Sequence, residues 1–306
     1  MRILCIGCLH GRFPERAYSI ARKEKAKLIL CPGDLPDGGF LRSMEFKHWD
    51  KINEGADLVK IVGKKKYLQA AERNLKSQAV MMKKLEGFKL PVLLIAGNHD
   101  TTFGEIQSKK YKPYALEVLA HHSRYVHLME VGVANFQGQE IGCISGYRGP
   151  GLKGVTKSKK HIRQIKLMNK LWELKLKKIF AGFTEPHKAI FMCHDPPYHT
   201  KLDLVRNKES PMDGKHLGDE YVLMYIKKHQ PKFVVCSHMH ENPGKIKIGR
   251  TIVINCGPAF AGRFAVIAKT HTFDTATGCC NIRPQLIKDA LLSRNVWRRF
   301  ALIKEP

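Results

Sequence analysis

Acidic residues are scarce. The 306-residue chain carries 27 Asp+Glu against 53 Lys+Arg, a formal net charge of +26. A surface so short of acid attracts polyanions, nucleic acid before anionic membrane. Long apolar runs are missing too. No stretch approaches the ~20 residues needed to cross a bilayer, so no transmembrane segment is expected. The first residues, Met1 to Gly7, run straight into a strand pattern without the features of a secretory leader. Cysteine is present but unorganised. Nine residues, odd in number and scattered, do not make a disulfide framework. Cys5, Cys31, Cys193 and Cys236 sit inside apolar runs, where a free thiol behaves as a small hydrophobe. Cys279 and Cys280 are adjacent and ill placed to pair. These signs fit reduced thiols in a cytoplasmic setting. Internal repeats and low-complexity tracts are also absent.

What is there is an ordinary globular composition, 43% hydrophobic and 26% charged, in a chain long enough to bury a sizeable core. Short β-rich runs recur at Ile3–Ile6, Leu28–Cys31, Val92–Ala96, Ile141–Ser145, Ala189–Cys193, Phe233–Cys236, Ile252–Asn255 and Phe264–Ala268. Most are continuous rather than alternating, as in strands covered on both faces. Helical patterns lie between them over Pro14–Lys25, Tyr67–Glu86, Ser158–Phe180 and Lys215–His229. In the third, Ser158 is a good N-cap, and Ile162, Ile165, Leu167, Met168, Leu171, Trp172 and Leu174 form the expected buried face. Alternating strands and helices predict α/β architecture. One domain is expected over 1–282, with a largely helical insert over 35–91 that holds the cluster Lys64-Lys65-Lys66. Residues 146–160 read as an exposed Gly- and Lys-rich loop, and 283–306 as a basic C-terminal extension.

Five strands are followed by a metal-capable side chain. Cys8-Leu9-His10-Gly11 comes after the first and Gly33-Asp34 after the second. Gly97-Asn98-His99-Asp100, His194-Asp195 and Ser237-His238-Met239-His240 follow the others. In an open α/β sheet such C-terminal ends share one crevice. Imidazole, carboxylate and amide oxygen form a mixed set suited to Mn, Fe, Zn or Co. His238 and His240, two apart, share a face in extended chain. Asp34, with two oxygens, can bridge a pair of ions about 3.5–4 Å apart, the arrangement that activates water against phosphoesters.

These motifs, in this order over residues 1–258, resemble the calcineurin-like metallophosphoesterases. The stretch from His194 through Lys201-Leu202-Asp203 to Asn255-Cys256-Gly257-Pro258 is similar to their small prokaryotic phosphoesterases. The resemblance implies a two-sheet sandwich with helices on both outer faces and two divalent ions (Mn, Fe, Zn or Ni). It implies His10, Asp34 and His240 at the first ion, and Asp34, Asn98, His194 and His238 at the second. His99 would lie near the leaving group, with Asp100 orienting its imidazole. Two positions depart from the family pattern. Cys8 stands where the family has Asp, an opening similar to that of RNA lariat debranching enzymes. There Cys8 either ligates, favouring a softer metal such as Zn or Fe, or leaves the first site weak. Ser237 stands where a Gly is usual, and is expected to matter little.

The expected function is metal-dependent phosphoester hydrolysis, leaning toward phosphodiesters such as RNA or nucleotides. The alternatives are a metal-degenerate scaffold and a nucleic-acid-binding protein of the same fold. Lys153, Lys157, Lys159, Lys160, His161, Arg163, Lys166, Lys170, Lys175, Lys177 and Lys178 offer a phosphate-binding patch or a solvated helix face. His121, His122, His161, His187, His199, His229 and His271 stand outside the motifs and read as ordinary core or surface residues.

Overall fold

The computed structural model describes residues 1–53, 56–106, 108–148 and 159–268. The Ser158 cap, the Lys153 and Lys157 end of the basic patch, the two adjacent cysteines and the extension over 283–306 lie outside them.

The elements run β1 (Arg2–Cys5), α1 (Arg16–Lys23), β2 (Leu28–Cys31), α2 (Gly39–Lys47), α3 (Trp49–Asn53), α4 (Leu58–Val62), α5 (Lys64–Glu86), β3 (Val92–Leu94), α6 (Leu116–His121), β4 (Val126–Leu128), β5 (Val131–Phe136) and β6 (Gln139–Ile144). They continue through α7 (Lys159–Ala181), β7 (Ile190–Met192), α8 (Glu220–His229), β8 (Phe233–Cys236), β9 (Gly244–Ile248), β10 (Thr251–Asn255) and β11 (Ala265–Ala268). The strands form two sheets. One has the order β11-β1-β2-β3-β4, the other β5-β6-β7-β8-β10-β9. Neighbours inside each sheet are parallel; the edges β11, β5 and β9 are antiparallel.

Three apolar layers hold the sandwich. Ile3, Leu28, Leu30, Leu93 and Ile95 face Ile141, Ile190, Met192 and Val235 between the sheets. Leu4, Ile29, Val92 and Leu94 pack outward against Ala17 and Ala21 of α1 and Met81, Met82 and Leu85 of α5. On the other outer face Phe191, Val234 and Val253 meet Leu176, Ile179 and Phe180 of α7 and Val222 and Ile226 of α8. The central strands are therefore buried on both sides, which is why their sequences read as continuous apolar runs.

Three expectations change. The motif-bearing strands lie on two sheets, β1 to β3 on one and β7 and β8 on the other, so the crevice spans the end of a sandwich rather than one open sheet. The face that α7 buries is Trp172, Leu176, Ile179 and Phe180, whereas Leu167, Leu171 and Leu174 are exposed. The sheet covers the residues toward the C-terminal end of α7, and the side chain of Ile162 lies outside those described. Finally, β4, β5 and β9 were not expected from the sequence. β5 and β9 are edge strands, and β9 is mostly exposed along GKIKI. The stretch 35–91 is helical as expected, but α5 is itself a layer of the sandwich. No helix among the described residues is long and apolar enough to cross a membrane.

Candidate metal centre

The loops after β1, β2, β3, β7 and β8 meet at one end of the sandwich and are laced by their backbones. The amides of Cys8 and Leu9 donate to the carbonyls of Gly33 and Asp34 at 2.9 and 2.8 Å, and that of Ser237 donates to His194 at 3.0 Å. The packing leaves no room for side chains at two points. A Cβ on Gly33 (φ +92°) would strike the backbone of Gly97, and one on Gly97 would strike Asp34 and His194. Cys8, His10, Asp34 and His238 hold φ of 52°, 43°, 62° and 63°. Left-handed backbone costs a non-glycine residue on the order of 1–3 kcal/mol and persists where surrounding structure enforces it. Here it turns successive side chains inward from very short loops.

All seven expected ligands converge. Asp34 is the hub. Its Oδ2 lies 3.3 Å from His194 Nε2, 3.6 Å from His10 Nε2 and 4.0 Å from Cys8 Sγ. Its Oδ1 accepts from the His99 amide at 2.8 Å. On one side His10 Nε2 faces His240 Nε2 at 3.2 Å, close to Cys8. On the other, Asn98 Oδ1 lies 3.0 Å from His194 Nε2 and 3.1 Å from His238 Nδ1. One carboxylate oxygen thus stands between two ligand groups.

Electrostatics follow from this crowding. Burial pushes the Asp34 carboxyl up, but the imidazoles of His194, His99 and His10 outweigh it and hold the group well below the usual carboxylate range. Burial pulls His194 down, and the Asp34 charge outweighs that, raising it to about 9. Burial lowers His99 to about 4 and His240 to about 3. His10 and His238 are lowered as well, chiefly by burial. His194 Nδ1 lies 2.6 Å from the carbonyl of Pro32 and donates to it, since a carbonyl only accepts. Its Nε2 faces two oxygens that only accept, so a proton on Nε2, in keeping with the raised value, or a metal ion satisfies all three atoms.

Two side chains take partners other than those expected. Both oxygens of Asp100 are used by backbone amides: Oδ2 accepts from Asp34 and Gly97 at 2.7 Å each, Oδ1 from Leu35 at 2.9 Å. Asp100 fastens the β2 and β3 loops together and leaves the His99 ring alone. Ser237 donates from Oγ to Cys8 Sγ at 2.8 Å, beside the His238 amide at 3.3 Å. The two departures from the family pattern therefore touch. Sequence reasoning also missed Arg42, Tyr147 and Phe260. Tyr147 packs on His238 with ring centroids 4.7 Å apart. Phe260 packs edge-on to His10 and His240 at 5.7 and 5.3 Å. The charge of Arg42, on α2, contributes to lowering His10, His99, His238 and His240. None of the three lies in a strand-end motif, so nothing local marked them.

Residues 1–242 match the family model for calcineurin-like phosphoesterases. The chain belongs to that family. It is accordingly a metal-dependent phosphoester hydrolase, with two multi-strand sheets flanked by helices. Solved structures share the fold of this phosphoesterase at low identity. A dimetal phosphatase from Danio rerio is 13% identical with a TM-score of 0.50, covering 87% of this chain and 91% of its own. Another solved structure is 16% identical with a TM-score of 0.57, covering 87% and 94%. No curated protein matches the chain.

The residues of the phosphoesterase fit a metal pair. His194 Nε2 faces Asn98 Oδ1 and Asp34 Oδ2, two acceptors, while its Nδ1 donates to Pro32, and the Nε2 atoms of His10 and His240 stand 3.2 Å apart. A proton or a metal ion between His194 and the oxygens satisfies that cluster, and the mixed nitrogen and oxygen donors suit divalent ions.

Proposed function

We propose that this hydrolase cleaves phosphodiesters at a dinuclear centre. His10, His240, Asp34 and Cys8 would hold one ion, and Asp34, Asn98, His194 and His238 the other. The observation that carries the reading is Asp34 Oδ2, poised between two ligand groups. When bound, a pair of divalent ions neutralises phosphoryl oxygens and makes water a nucleophile near neutral pH.

The protein's own part is placement. The Pro32 carbonyl fixes the His194 tautomer, so that its Nε2 faces inward. Asp100 locks the Asp34 and Gly97 loops and so sets the hub's position. His99, whose ring meets His10 edge-on at 5.1 Å, borders the reacting phosphoryl group and offers an N–H to the departing oxygen. Arg42 adds a fixed positive charge at the rim, complementary to the charge a phosphoryl group gathers as it reacts. The preference for diesters is supported by the net charge of +26 and by the Cys8 opening.

Asn98→Ala and His194→Ala test the centre. Each is expected to lower kcat/KM at least about 100-fold, the upper end of what losing even an outer partner of a ligand costs. Circular dichroism should show the fold retained. Full activity in either folded variant overturns the assignment.

A further inference from the structure

A groove of about 540 Å³ opens beside His240. That volume is within the range of small-molecule sites. Four segments far apart in sequence build its walls. α2 supplies Arg42 and Phe46, the loop before α8 supplies Arg206, the turn after β8 supplies His240 and Glu241, and the turn after β10 supplies Phe260.

The wall chemistry is specific. Phe260 is 37% exposed although its ring packs crosswise against His10 and His240. A ring held from behind with surface left open is a stacking platform. The Arg42 guanidinium rides over the Phe46 ring at 5.2 Å. Among the described residues no carboxylate is ion-paired with Arg42 or Arg206, so both cations are available to phosphate. The same groove carries Glu209 and Glu241. Those carboxylates disfavour a uniformly anionic occupant along this wall. They suit a flat body with exocyclic N–H donors, as carboxylates accept from cytosine N4.

We infer that the groove is a nucleoside subsite, so the substrate is a phosphodiester with at least one nucleoside. The base would stack on Phe260, with an amino group turned to Glu209 or Glu241, and Arg206 would hold a phosphate or ribose oxygen beyond it. This rests on the phosphodiester reading above and adds the identity of one ester arm. It also gives α2 a function: the helix forms a wall of the site.

The test compares cytidine 5′-(p-nitrophenyl phosphate) with methyl p-nitrophenyl phosphate. They share a leaving group and differ only in the nucleoside. Wild-type kcat/KM should favour the nucleoside ester about 10-fold or more, within the range one stacked base supplies. Phe260→Leu, which keeps apolar bulk against the two histidines, and Arg206→Gln should each lower the nucleoside rate through KM. In Arg206→Gln the methyl ester should change less than about 2-fold, and in Phe260→Leu it should lose clearly less than the nucleoside ester. Equal wild-type rates, or equal losses on both esters in Phe260→Leu, would overturn the subsite and leave the hydrolase reading intact. No turnover of either ester with any metal would sink the hydrolase reading instead. The subsite would then be decided by binding alone: 2-aminopurine riboside monophosphate fluorescence should be quenched by wild type and not by Phe260→Leu. Absence of quenching would end the proposal.

Discussion

Cys8 and Ser237 act as a pair: the serine hydroxyl donates to the sulfur at 2.8 Å. Burial pushes the Cys8 thiol up, with the Asp34 charge adding to it. The Ser237 hydroxyl and the His238 amide oppose that rise without overcoming it, so a bound cation is what would keep a thiolate there. Cobalt substitution offers a direct readout. Co(II)-loaded wild type should show a near-ultraviolet sulfur-to-cobalt charge-transfer band that disappears in Cys8→Ser. Ser237→Ala should keep the band while weakening affinity for one ion by about 10–100-fold. An unchanged spectrum in Cys8→Ser would remove the sulfur from the ligand set. Asp100 differs from what the family resemblance implied: rather than meeting the His99 ring, its oxygens accept from three backbone amides.

Strands and their loops were the most legible elements. β2 and β8 have the bounds their apolar runs predicted, because full burial on both faces leaves a continuous signal. The seven ligand positions were legible for the same reason: each follows such a run within five residues. Edge strands β5 and β9, with one solvated side, gave no comparable signal. Tertiary packing, not periodicity, set the burial of Trp172, Leu176, Ile179 and Phe180 and the exposure of Leu167, Leu171 and Leu174 in α7. α2 was predicted only as part of a helical stretch, and its role as a wall depends on contacts across the fold. That helix carries its own pH dependence. Burial raises the half-buried Glu45 carboxyl from an ordinary 4.5 to about 7, with Arg42 opposing. A carboxyl raised on folding adds stability below its unfolded value and loses it as pH climbs through about 7. The loss should be roughly 1–3 kcal/mol locally. Hydrogen exchange over residues 39–47 should therefore speed up between pH 5.5 and 8.5 beyond its intrinsic pH trend, and Glu45→Gln should flatten the excess. The same excess in Glu45→Gln would show that another group is responsible.

At the scale of the whole molecule, two sheets carry one site. Three ligand loops come from one sheet and two from the other, and Asp34 meets His194 across the seam. Ligand geometry thus depends on how the sheets pack, and the Ile3–Ile190 layer between them belongs to the site as much as the loops do. The charge of +26 is a property of the same scale. It raises the local concentration of anionic substrate in a salt-dependent way, but does not name the bond cleaved. The most direct measurement is hydrolysis of bis-p-nitrophenyl phosphate and p-nitrophenyl phosphate by folded protein. It is run after chelation and again with Mn, Zn, Fe(II) or Ni restored singly, while bound metal is counted. The expected result is loss of turnover on chelation, its return with about two ions per chain, and a higher rate on the diester. Folded protein that binds no metal, or that turns over neither ester with any metal, would contradict the account.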